Sequence, residues 1–132
     1  MSTELSGNIS TVLGTINPDH AGITLMHEHI FVDGSCFHTI PDEASLRSLA
    51  NTEITAELIR HLGKHWNTIL RHIQLNDFNK MLNELNHFVF SGGKTIVEAT
   101  SIGIGRDPLA LTKMARATGL NIVMGSSYYI PI

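Results

Sequence analysis

Cysteine is nearly absent. Cys36 is the only one among 132 residues, which excludes an internal disulfide framework and fits a reducing compartment. No catalytic motif accompanies it, so a free thiol is expected there. Long apolar runs are missing too: none approaches the ~20 residues of a membrane-spanning helix. The polar first ten residues lack the apolar centre of a signal peptide. Basic residues are few, nine Lys and Arg against twelve Asp and Glu, for a formal net charge of -3. They are scattered rather than striped, so no basic face invites nucleic acid or an anionic membrane. Gly103-Ile104-Gly105 lacks the remaining glycine of a dinucleotide-binding fingerprint. These absences describe a cytoplasmic chain with neither nucleic acid nor membrane as partner.

What is present is ordinary globular composition, 42% hydrophobic and 16% charged, at a length that suits one modest domain, 1–132. Residues 1–10 read as a loose leader. Residues 10–16 suit a short strand or hairpin arm, ended by the turn signal Asn17-Pro18-Asp19. Residues 23–29 read as a buried strand. Residues 34–75 form an excursion whose broken apolar periodicity predicts short helices and loops.

Beyond residue 75 the pattern sharpens. Asn76 or Asp77 can cap a helix with Phe78, Met81, Leu82, Leu85, Phe88 and Val89 on one stripe. Gly92 and Gly93 end it. Residues 95–99 predict a strand buried on both faces. Asp107 as cap and Pro108 at the first helical position open another helix, with Leu111, Met114, Ala115 and Thr118 buried and Gly119 closing it. Residues 121–125 make a third buried strand. Such alternation predicts α/β architecture with parallel strands and right-handed crossovers, either a small open sheet or the opening units of an eightfold barrel.

The chemistry concentrates at the end of the first of these strands. Side chains alternate along a strand, so His27 and His29 point one way and Glu28 the other. Two imidazoles one pleat apart can share a divalent cation at ~2.1 Å. Leu25 would lie beneath them as an apolar floor. The alternative is a chance pair, each ring bonded to backbone or solvent. Glu98 breaks the second strand near its C-terminal end, where it either supports a ligand or caps loop amides. His61 and His65 have helical metal-site spacing but no acidic partner, so a solvated helix face is expected.

At this point the residues resemble a known family. Thr11-Val12-Leu13-Gly14 followed by residues 22–29 resembles the start of the phosphotriesterase family, which belongs to the metal-dependent amidohydrolases and includes lactonases. The likeness resumes at 92–100 and runs through 103–108 and 117–125 to Tyr128-Tyr129. It implies the N-terminal part, about three strands with helices, of a TIM (β/α)8 barrel. It also implies a divalent-metal centre, two metals per complete site. Zinc is the first expectation, with manganese, iron and cobalt open. His27 and His29 match first-strand metal ligands, and Tyr129 matches a pocket-lining, substrate-binding position.

The family's bridging lysine, further histidines and aspartate come from later strands of a barrel of ~250 residues. The expectation is therefore a single truncated hydrolase domain with no catalytic residue of its own, inactive alone. The resemblance implies metal-activated hydroxide attacking a small ester, lactone, amide or phosphotriester, and it hints at a homodimer. The alternatives are a non-catalytic remnant or interaction module with at most weak metal binding.

Overall fold

The three apolar runs at 23–29, 95–99 and 121–125 become neighbours in space. A computed structural model describes residues 7–49 and 52–129, without the side chains of residues 61, 62 and 64. Its elements in chain order are β1 (Ile9–Thr11), β2 (Gly14–Ile16), β3 (Ile23–Glu28), β4 (Val32–Asp33), α1 (Ala44–Arg47), α2 (Ala56–Leu62), β5 (Gln74–Leu75), α3 (Phe78–Phe90), β6 (Gly93–Glu98), α4 (Pro108–Thr118) and β7 (Asn121–Met124). Strands β3, β6 and β7 form one parallel sheet in that order. No closed barrel forms among the described residues. None of their helices is long and apolar enough to cross a membrane.

Helices α3 and α4 pack against each other and against β6 and β7. Their stripes are the ones the periodicity predicts: Leu85 of α3 and Leu111, Met114 and Ala115 of α4 are buried against Ile96 and Ile122 of the sheet. Each of the larger of these side chains, Leu, Ile or Met, stabilises the fold by ~1.5–3 kcal/mol through removal from water. The helix ends follow the expected chemistry. Asp77 accepts from the Lys80 amide. Asp107 accepts from the amides of Leu109 and Ala110, and Gly119 closes α4 at φ 73°. Gly93 lies directly under the Phe88 ring; a Cβ there would meet ring atoms at 2.4 Å.

Strand β3 departs from expectation. None of its six residues is buried, and Ile23 and Met26 are 62% and 70% exposed. The reason is position: β3 is an edge strand that pairs only with β6 among the described residues. An apolar run reports what a strand can bury, not whether a second neighbour is present. The β3–β6 register is also irregular between Leu25 and Glu28, where three steps on β3 match two on β6. This bulge breaks strict alternation, so the reading of Leu25 as a floor beneath both histidines does not follow.

The start of the chain forms a small antiparallel hairpin, β1 against β2. It begins at Ile9, so residues 9 and 10 belong to a strand rather than to a leader; residues 1–6 lie outside the described residues. The Val12 amide at its tip donates to the Ile122 carbonyl at 2.9 Å, fastening the hairpin to β7. The 34–75 excursion leaves and returns at one place. Strand β4, just after β3, pairs antiparallel with β5. The Asp33 carboxylate binds the Ser35 hydroxyl, the Ser35 amide at 2.9 Å and the Gln74 amide at 3.1 Å. These donors hold its pKa below the ordinary carboxylate value. Between the ends, the regular elements among the described residues are 3-10 turns and the short helices α1 and α2. His65 falls beyond the end of α2, in a 3-10 segment, so it shares no continuous helix face with residue 61.

Candidate metal half-site

Strand β3 ends at Glu28, whose carbonyl still accepts from the Ala99 amide at 2.7 Å. His27 is therefore inside the strand, and His29 is the first residue past it. Their rings stand together, centroids 5.6 Å apart and nearly perpendicular at 73°. His27 is exposed and His29 half-buried. Behind them, Ile30 and Phe31 are buried in the core and fix the direction in which the chain leaves the sheet.

The end of β6 holds His29 in place. The Nδ1 atom of His29 is 2.9 Å from the Thr100 hydroxyl oxygen. That hydroxyl also bonds to the Phe31 carbonyl at 2.8 Å and to the Glu98 carboxylate. Glu98 further accepts from the amides of Ile30 at 3.2 Å and Thr100 at 3.0 Å. It thus caps two loop amides, as one of its two expected roles requires, and through Thr100 it connects to His29. Burial raises the Glu98 pKa. The Thr100 hydroxyl, the two amides and the charge of His29 pull the other way. The carboxylate and Thr100 are almost wholly inaccessible, at 1% and 0%.

Thr100 is a residue beside the histidines that sequence reasoning missed. A threonine near a strand end carries no signal until the register of β3 on β6 is known.

Tyr129 belongs to a different cluster. Its amide donates to the Ile102 carbonyl at 2.6 Å, placing it on the segment that follows β7. Its half-exposed ring meets Phe37 edge-on at 5.6 Å, and Phe37 lies 6.4 Å from Trp66. The excursion after β3 and the segment after β7 thus build one aromatic wall beyond the C-terminal ends of the strands. Phe37 and Trp66 gave no sequence signal, because the excursion lacks periodicity. A separate open cleft of about 760 Å³, lined in part by Glu53, Arg71, Asp77 and Lys80, contains neither histidine nor Tyr129.

The donor set fits part of a metal site. Two adjacent imidazoles are available, and the hydrogen bond at His29 Nδ1 leaves Nε2 as the open nitrogen. Among the described residues no three His, Cys, Asp or Glu side chains cluster closely enough to hold an ion.

The sequence pattern of the phosphotriesterase family matches residues 7–132. An N-acetyltaurine hydrolase from Dictyostelium discoideum is 38% identical across 97% of this chain and 40% of its own length. An N-acetyltaurine hydrolase from Danio rerio is 37% identical across 98% and 37% respectively. Among solved structures, a resiniferatoxin-binding protein from Rhodobacter sphaeroides superposes with a TM-score of 0.86 at 38% identity, over 95% of this chain and 35% of that one. A lactonase from Listeria monocytogenes gives 0.59 at 27% identity, over 91% and 28%. The chain thus spans about two-fifths or less of the length of these relatives. With parallel strands, helices and matches running together along its length, the chain belongs to the phosphotriesterase family and forms the N-terminal, three-stranded part of its (β/α)8 barrel.

Proposed function

We propose that this chain supplies the first metal-binding strand of a phosphotriesterase-like hydrolase for a small ester, lactone, amide or phosphotriester. His27 and His29 serve as ligands, and Tyr129 lines the substrate side. The observation behind this reading is the histidine pair, held at a strand's C-terminal end with one ring anchored and the other open. Similarity to proteins named N-acetyltaurine hydrolase favours an amide within that substrate range.

A divalent metal, zinc first with manganese, iron and cobalt as alternatives, supplies Lewis acidity that makes water nucleophilic near neutral pH and polarises the electrophile. The chain's own contribution is narrower. His27 and His29 present nitrogen donors, Thr100 and Glu98 hold one of them, and the Phe37–Tyr129–Trp66 wall offers apolar surface to a substrate. We assign no nucleophile or general base to the described residues. Two imidazoles alone bind zinc weakly, since catalytic sites usually use three protein ligands. That count supports a second reading, a non-catalytic module that retains only weak metal binding.

Calorimetry with zinc or cobalt(II) tests the half-site. The wild-type chain is expected to bind weakly at one site, and His27→Ala and His29→Ala each to abolish the heat. Binding unchanged in either variant sinks the assignment. Hydrolysis of an N-acyl amide by the 132-residue chain, lost in His27→Ala, would show that its own ligands suffice.

A further inference from the structure

The hydrogen bonds around Thr100 determine more than position. A threonine hydroxyl has one hydrogen to donate and lone pairs to accept with. Here Oγ1 faces three partners: the Phe31 carbonyl at 2.8 Å, the Glu98 carboxylate, and His29 Nδ1 at 2.9 Å. The Phe31 carbonyl can only accept. Ionised, Glu98 can only accept as well; protonated, it can give its hydrogen to the hydroxyl, which then turns its own to Phe31. In either case the single hydroxyl hydrogen goes to oxygen. With its hydrogen given to oxygen, the hydroxyl accepts from His29, which places the ring proton on Nδ1. A neutral ring protonated at Nδ1 has its lone pair on Nε2, the nitrogen left open for a ligand.

We propose that Thr100, backed by Glu98, is a positioning residue that locks His29 as the Nδ1–H tautomer and aims Nε2 outward as the ligating nitrogen. Three features make the lock firm. Thr100 is wholly buried, so no water competes for its hydroxyl. The Glu98 carboxylate is itself held by the amides of Ile30 and Thr100, so it cannot swing away. The Ile30 amide is next to His29 in the chain, so one carboxylate steadies both the ring's partner and the ring's own backbone. Partners of this kind, behind a metal-binding histidine, set its tautomer and ring direction. The purpose of the lock rests on His29 being a ligand; the tautomer itself does not.

The test is long-range proton–nitrogen NMR of the His29 ring in the metal-free chain, at a pH of about 8 where histidine is neutral. The wild type is expected to show Nδ1–H. Thr100→Val, which keeps the shape and removes the hydroxyl, is expected to give Nε2–H or a mixture. It should also weaken zinc binding by about 10–100-fold. Thr100→Ser, which restores the hydroxyl, should restore both, as a purely space-filling role would not. Nε2–H or a mixture in the wild type overturns the proposal, and that measurement stands alone should Thr100→Val fail to fold. A Thr100→Val ring unchanged from wild type overturns it too. Tautomer control by Thr100 together with zinc affinity unaffected by His29→Ala supports the lock and overturns the ligand reading.

Discussion

Asp33 provides a pH test at the scale of a single residue. Its folded carboxyl sits below the ordinary value because of the Ser35 hydroxyl, the Ser35 amide and the Gln74 amide. The unfolded chain therefore takes up the proton more readily. The stabilisation is complete above the unfolded pKa of about 4 and is lost as pH falls through the folded one. The stability gap between wild type and Asp33→Asn, measured by urea unfolding, should be present at neutral pH and narrow below about pH 4. A gap independent of pH would remove Asp33 from the account. Individual residues were unevenly legible in the sequence. The two histidines could be paired from the sequence by the strand period of two, but that rule is interrupted at the bulge and ends before His29. What the structure shows is that their rings stand 5.6 Å apart. Thr100 was invisible because its meaning depends on a strand 71 residues away. The Leu25 floor does not follow from the pattern, because a bulge between Leu25 and Glu28 interrupts the period.

At the scale of elements, helices announced themselves where caps and stripes coincide. Asp77, Asp107 and Gly119 act as their residue types require, and the buried stripe of α4 is the expected one. The excursion stayed unreadable for a physical reason: 3-10 segments of three to six residues are too short to develop a periodic face. It closes instead through Asp33, Gln74 and the Asn67 amide on the Phe37 carbonyl at 2.8 Å, bonds between residues distant in sequence. A helix–strand contact offers the sharper prediction. Gly93→Ala drives a methyl into the Phe88 ring, and overpacking of that kind costs about 1–3 kcal/mol. Asp107→Ala removes a cap and costs about 1 kcal/mol. Thermal unfolding should show both. Gly93→Ala combined with Phe88→Ala should be less destabilised than the sum of the two single changes, since the smaller side chain relieves the clash.

At the scale of the whole molecule, the sheet leaves β3 unpaired along one side among the described residues, with Ile23 and Met26 largely exposed. An apolar edge strand is a template for pairing with another chain. Sedimentation analysis is expected to show concentration-dependent self-association, reduced in Met26→Lys; a monomer at all concentrations, unaffected by that change, would refute it. The link from His29 to Thr100 has a consequence in time as well as space. A ribosome makes the histidine 71 residues before its hydroxyl partner, so their bond cannot form until β6 has been made and has paired with β3. Until then the ring lacks its Thr100 partner, and this bond places no constraint on its tautomer. The order of synthesis thus places the fixing of this ring after the ends of β3 and β6 have met.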